Sequence, residues 1–290
     1  DWFCGVGKTK LEVDLLKGSK KHGVLFTPRN TLLNQHFEGY LKELPNVVII
    51  NCENDLPKKK FKGKNKTIFI VNNSSFEIFK EYVNDNRIKI GLSVIDEAHY
   101  ASEKIIKSDF FNSIERRYLF TATPNDYCKD YKVLHYIPYR TALELNRTTP
   151  FKICMIEDVK DTDDYLDKLV HKMDELNRRK CIVYFNSVKK SKDDKFCVNA
   201  FKKYKKIKDY KISCITAKNS NSGVWQKFKK SKDKCILFSC ETISFGIDIE
   251  ECDCVLIDNP SKSIPRNVQR MSRCLRFLKG KDLSYICLLY

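Results

Sequence analysis

The stretch Val94-Ile95-Asp96-Glu97-Ala98-His99 constrains this chain more than any other. Apolar residues run straight into two adjacent carboxylates, which predicts a buried strand delivering acid groups to the rim of a sheet. One such carboxylate can hold Mg²⁺ through water while its neighbour orients and deprotonates an attacking water. By itself an acid pair after a strand is an ordinary charged strand end. Three other stretches change its meaning: Gly5-Val6-Gly7-Lys8-Thr9 upstream, Thr121-Ala122-Thr123-Pro124 downstream, and Gln269-Arg270-Met271-Ser272-Arg273-Cys274-Leu275-Arg276 near the end.

The first of these reads as a phosphate-binding loop. Gly5 and Gly7 let the backbone curl so that its N–H groups, Val6 included, face a phosphate. Lys8 reaches the β and γ phosphates, and the Thr9 hydroxyl takes a place on Mg²⁺. Residues 8–17 form a helix with Leu11, Leu15 and Leu16 on one side, and its N-terminus favours an anion. The full loop pattern wants a glycine where Trp2 stands, so the match is partial. The strand that should feed the loop is missing, and we expect a piece of a longer protein.

Strands and helices alternate after the loop. Residues 23–28, 46–51, 67–71, 92–95 and 118–120 read as strands. Residues 31–44 read as a helix with Leu32, Leu33, Phe37, Leu41 and Leu44 on one side, and Asn72-Asn73-Ser74-Ser75 is a polar turn that can cap the next helix. Residues 57–66 are the densest basic run and read as a solvated loop more readily than as a phosphate contact. Every chemically interesting residue falls at the C-terminal edge of a strand, where parallel α/β sheets bind ligands.

Residues 125–149 carry no clear period, and the domain boundary is placed near their end, giving domains 1–149 and 150–290. The alternation then restarts, with strands at 152–156, 181–185, 212–216, 235–238 and 255–257, and with 285–289 closing the sheet. Helices are expected over 164–178 and around Trp225 and Phe228. This half has no phosphate loop, so its polar residues act as partners. A turn from Thr242 to Asp248 carries a flexible Gly246 and a carboxylate. Gln269, Arg273 and Arg276 are spaced to share one face of a helix, with Val268, Met271, Leu275 and Leu278 on an apolar face. Paired guanidiniums aimed at a γ-phosphate stabilise the charge of phosphoryl transfer.

Composition agrees. A chain of 290 residues, 42% hydrophobic and 31% charged, is globular and long enough for two cores. Its net charge of +17 favours a polyanionic partner, although abundant lysine and asparagine also follow from an AT-rich genome. The 13 cysteines include no Cys-x-x-Cys pair, the tightest spacing being Cys252-x-Cys254. They read as small core residues of an intracellular, reducing compartment. No apolar run reaches membrane-spanning length, no signal peptide is seen, and no membrane partner is expected.

Together the motifs resemble those of a superfamily 2 helicase, over essentially the whole chain. Motif I is Gly5 to Thr9, and Ia is Thr27-Pro28-Arg29-Asn30 with Leu32, Leu33 and Gln35. Motif II is Asp96 to His99, III is Thr121 to Thr123, IV lies near Phe185-Asn186-Ser187, V is Thr242 to Asp248, and VI is Gln269 to Arg276, with Ser272 replacing the usual glycine. The Thr-Ala-Thr-Pro form and residues 135–144 are most like the branch holding type I and type III restriction motor subunits, XPB-like helicases and viral helicases. The resemblance implies an α/β fold of two tandem RecA-like parallel-sheet domains, the first strand of domain 1 missing, with ATP and Mg²⁺ in the cleft between them. It implies that Gly5, Val6, Gly7, Lys8 and Thr9 hold phosphate, that Thr9 and Asp96 serve the metal, and that Glu97 activates water. Arg273, Arg276 and Gln269 would complete the catalytic set, with Gly246 and Asp248 on the nucleotide. His99, Thr121 and Thr123 would relay nucleotide state to Thr27, Pro28, Arg29 and Thr242, which grip nucleic-acid phosphates, DNA favoured over RNA. Two alternatives stay open beside the helicase or translocase reading. One is the motor of a restriction-type nuclease with its cleavage domain in the flanks; the other is an ATP-switched sensor of duplex nucleic acid that does not unwind.

Overall fold

The computed structural model describes residues 6–28, 37–51, 55–56, 61, 65–156, 162–185, 209–215, 223–240, 249–258 and 262–289. The chain forms two compact units, residues 1–138 and 139–290.

The first unit is built on β1 (His22–Thr27), β2 (Val47–Ile50), β3 (Ile68–Asn72), β4 (Ile90–Ile95) and β5 (Arg116–Leu119), ordered β2-β3-β1-β4-β5. Every pairing is parallel. The apolar runs of β1 and β4 are continuous because both faces of the sheet are covered. Alternate residues go to opposite faces. Val24 and Phe26 join Phe69, Val71 and Ile95 against Phe76 and Phe79 of α2 (Phe76–Asp85). Leu25 joins Ile68, Ile70, Leu92 and Val94 against Val13 and Leu16 of α1 (Lys8–Gly18). Asn72 opens the turn into α2, its side chain accepting from Ser74 N at 3.0 Å. The short helices α3 (Glu103–Ile106) and α4 (Asp109–Asn112) add Ile105, Ile106 and Phe111 to the α2 side.

The second unit opens with α5 (Tyr139–Glu144). It continues through β6 (Phe151–Ile156), α6 (Thr162–Glu175), β7 (Lys180–Phe185), β8 (Lys211–Ile215), α7 (Val224–Lys230), β9 (Cys235–Cys240), β10 (Cys254–Ile257), α8 (Ile264–Met271) and β11 (Ser284–Leu289). Its parallel sheet has the order β6-β11-β10-β7-β9-β8. Cys181, Cys254 and Cys287 sit in its core beside Leu169 and Met173. The described cysteines are free, and burial pushes the Cys181 thiol up to about 11, as expected of packing residues.

Three expectations change. Unit 1 ends at Pro138, not Thr149. The intervening residues belong to unit 2: Thr149 N and Thr148 Oγ1 donate to Leu275 O at 2.8 and 2.7 Å, and Thr149 Oγ1 donates to Arg276 O at 3.0 Å. The last strand does not lie at the sheet edge; β11 inserts between β6 and β10, where Ile286 and Cys287 are fully buried. The described end of the helix expected over 31–44 is a π-turn, Phe37–Leu41, with Lys42 N donating to Phe37 O at 2.8 Å. Gly39 within that turn weakens the α-helical alternative. Of the basic run, only Phe61, Asn65 and Lys66 lie inside the described residues.

Phe79 is fully buried, with ring centroids 5.3 Å from Phe69 and 5.9 Å from Phe26. Phe79→Ala should destabilise unit 1 by about 3–5 kcal/mol in urea unfolding, the cost of a large aromatic cavity.

Candidate active site

The C-terminal ends of β1, β4 and β5 build the site. Beyond β4 the ladder continues for one more bond, from Asp96 N to Phe26 O at 2.9 Å. This leaves Asp96 buried at the rim, 4% exposed. The chain then reverses at Glu97, whose φ of 47° and ψ of 53° are left-handed. That conformation costs a residue with a side chain about 1–2 kcal/mol. Main-chain bonds on either side hold it: Ala98 N donates to Phe120 O at 2.8 Å, and Tyr100 N to Glu97 O at 2.8 Å. Glu97 carries its carboxylate at this reversal. Its Oε2 is buried, has no hydrogen-bond partner among the described residues, and lies 3.6 Å from His99 Nδ1.

His99 connects this turn to the one after β5. Its Nδ1 lies 2.8 Å from Thr121 Oγ1, which also accepts from Thr123 N at 3.0 Å. With that lone pair used, the Thr121 hydroxyl hydrogen can point at Nδ1. Burial holds the His99 pKa below its usual value; the Glu97 carboxylate opposes this and the Lys8 ammonium reinforces it. Lys8 is thus within electrostatic reach of the acid turn, although its own helix starts far away in sequence. It is buried at the first position of α1, directly after Gly7. Gly7 has φ 100°, and its carbonyl accepts from Lys10 N and Leu11 N at 3.1 and 3.2 Å. Among the described residues nothing lies within 4 Å of where a β-carbon would stand on it. Val6 and Thr9 are half-buried beside it, Thr27 is buried at the end of β1, and Pro28 follows.

These residues fit a magnesium-bound triphosphate. An open left-handed glycine and a helix start offer N–H groups to phosphate, with a lysine at the same place. Asp96 would be the carboxylate available to such a metal, and the Glu97 oxygen could serve as a base. Of the other expected site residues, Gly5, Arg29, Thr242, Gly246 and Asp248 lie outside the described residues.

In the second unit Gln269 and Arg273 are buried and Arg276 half-buried. The continuous helix expected to carry all three is not found. α8 stops at Met271, and the chain tightens into turns in which Arg273 N, Cys274 N and Leu275 N reach back three residues, to Arg270 O, Met271 O and Ser272 O. Past Met271 the Gln269 carbonyl accepts from Ser272 Oγ at 2.8 Å, and Arg273 N turns back to Arg270 O instead of reaching Gln269 O. Cys274 O accepts from Ser284 Oγ and from Lys281 Nζ, and Leu275 O and Arg276 O accept from Thr148 and Thr149. The sequence reading also passed over Arg270. Its guanidinium is fully buried, lies 5.4 Å from the Tyr184 ring centroid, and donates from Nη2 to Phe185 O at 3.4 Å. It fastens α8 to the end of β7. A lone arginine among basic neighbours carries no sequence signal of burial.

Residues 2–126 match the family described as type III restriction enzyme, res subunit, and residues 161–278 match the helicase conserved C-terminal domain. The chain belongs to the superfamily 2 helicases. Members of this superfamily are ATP-hydrolysing enzymes, and the two parallel-sheet units are its tandem RecA-like domains. No curated protein sequence matches the chain. In fold it is similar to a fragment assigned as the HsdR subunit of a type I restriction enzyme from Vibrio vulnificus YJ016, with a TM-score of 0.71 and 17% identity, over 99% of this chain and 59% of that one. It is similar to the ATP-dependent type ISP restriction-modification enzyme LlaBIII, with TM-score 0.68 and 17% identity, over 99% of this chain and 26% of that one. For S. cerevisiae Dbp5 the values are 0.62 and 17%, over 99% and 77%. At such identities the likeness is one of fold. This superfamily 2 core thus spans 59% of the restriction subunit fragment.

The His99 imidazole should titrate below 6.5 in a pH series of NMR spectra. Between its folded and unfolded pKa the unfolded chain binds the extra proton, so the stabilisation is complete above 6.5 and is lost as pH falls through the folded value. A folded-state pKa at or above 6.5 would contradict the buried, Thr121-bonded ring.

Proposed function

We propose that this protein is an ATP-driven motor that moves along nucleic acid, with DNA as its preferred track. The reading rests above all on the Glu97 turn, strained in the left-handed region, with Lys8 in electrostatic reach and Thr121 bonded to His99. Lys8 and Thr9 bind the β and γ phosphates, with Gly5, Val6 and Gly7 supplying main-chain donors. Thr9 and Asp96 hold Mg²⁺, which when bound neutralises charge on the phosphates. Glu97 orients the attacking water and takes its proton. His99, neutral at pH 7, passes the position of that turn to Thr121 and Thr123. Arg273, Arg276 and Gln269 supply positive charge and hydrogen bonds to the transferring phosphoryl group, and Gly246 and Asp248 contact the nucleotide. Thr27, Pro28, Arg29 and Thr242 grip the phosphate backbone, which gives weak sequence preference and strong salt sensitivity.

The preference for DNA draws on the res-subunit match and on LlaBIII, whose similar structure is bound to DNA; Dbp5, bound to RNA, supports the opposite track. The net charge of +17 suits either. A second reading, the motor portion of a restriction-type nuclease, is favoured by the same match and by the small share of LlaBIII that this chain spans. Free buried thiols support an intracellular, reducing location.

The test is the ATPase rate with no polymer, single-stranded DNA, duplex DNA and duplex RNA. Duplex DNA should stimulate most, and stimulation by RNA alone would reverse the choice of track. Glu97→Gln should keep ATP binding and lower turnover by about 10²–10⁴-fold, the range for losing a general base. An unchanged rate would sink the assignment.

A further inference from the structure

Asn125 stands one residue after the Thr121-Ala122-Thr123-Pro124 stretch and belongs to none of the motifs. Its side chain joins two turns. Nδ2 donates to His99 O at 3.2 Å, and Oδ1 accepts from Cys128 N at 3.2 Å. A carbonyl at one end and an N–H at the other fix the orientation of the amide. The Cys128 bond caps the short turn Asp126–Cys128. The His99 bond reaches the turn that holds Glu97.

Both turns are anchored in the same core. Cys128 and Ala98 pack in one cluster with Ala101, Ile105 and Phe111, and Tyr127 and Tyr131 pack against it. Three links therefore run from the acid turn to residues 120–125: Ala98 N to Phe120 O, His99 Nδ1 to Thr121 Oγ1, and Asn125 Nδ2 to His99 O. The first is main chain and independent of side-chain identity. The second joins two residues of the motifs. The third is attached to the Asp126–Cys128 turn, which is packed in the core of unit 1 and begins the stretch that runs to the end of that unit at Pro138.

We propose that Asn125 is a positioning residue, tethering the Glu97–His99 turn to the Asp126–Cys128 turn. A shift of either turn then reaches the other through this amide as well as through the two links to Phe120 and Thr121. The inference rests on the reading of Glu97 as the hydrolytic base.

Two variants separate the tether from the cap. Asn125→Asp keeps the acceptor for Cys128 N, and aspartate caps as well as asparagine, but it loses the donor to His99 O. Asn125→Ala loses both. If the tether matters, both variants lower kcat for ATP about tenfold, the scale of one lost hydrogen bond, with KM within about twofold of the original. The Asp variant should also keep the original melting temperature while the amides of Tyr100 and Ala101 exchange hydrogen faster. An Asp variant with unchanged kcat and exchange would overturn the proposal and leave Asn125 a cap. A raised KM at unchanged kcat would also overturn it, pointing to nucleotide affinity instead. Should the original protein hydrolyse no ATP under any condition, the motor reading fails. Amide exchange then decides the tether separately: faster exchange in the Asp variant supports it, and unchanged exchange overturns it.

Discussion

Two main-chain hydrogen bonds, Asp96 N to Phe26 O and Ala98 N to Phe120 O, fix where Glu97 stands. They come from the strands on either side of β4, so the acid turn is held by the sheet and not by its own side chains. A left-handed non-glycine residue relaxes unless its surroundings over-determine it. Here the parallel register of β1, β4 and β5 does so. That register is in turn held by the rings of Phe26, Phe69 and Phe79 on one face and by Leu25, Leu92 and Val94 on the other. A core mutation far from the carboxylates can therefore reach the acid turn through strand alignment.

The second unit solves a different problem. It fixes in place the segment that carries its arginines. Burial of Arg270 over Tyr184 and its bond to Phe185 O fasten α8 to the sheet. The turns after Met271 are then sewn to Thr148 and Thr149 and capped by Lys281, whose ammonium also donates to Glu250 O and Cys252 O. Burial lowers the Lys281 pKa, a penalty that these carbonyl acceptors offset. Arg273 and Arg276 belong to this stapled segment, so their main chain is less free than that of residues on an exposed helix face.

Much of the fold was legible in the sequence because parallel, doubly covered strands are continuous apolar runs. β1, β4, β7 and β9 could be read from composition alone, and their polar termini marked the rim. The site in unit 1 was legible for the same reason: Lys8, Asp96, Glu97, His99, Thr121 and Thr123 each follow a strand or open a helix. Where the reading departed from the structure, long-range hydrogen bonds decided. Thr148 and Leu275 are 127 residues apart, yet their bond ties the start of unit 2 to its end and pins the turns that follow α8. Periodicity, a local property, sees neither effect.

The sequence by itself determined the family, the alternation of strand and helix, and which residue types stand at each strand end, because these follow from local patterning. Tertiary structure decided that Glu97 is left-handed, that Arg270 is buried, that His99 is bonded to Thr121, and that Asn125 links two turns. Each of those depends on which distant main-chain donor or acceptor lies within about 3 Å, a distance over which a hydrogen bond forms or fails. No spacing along the chain encodes that, since it arises only when separate strands are brought into one register.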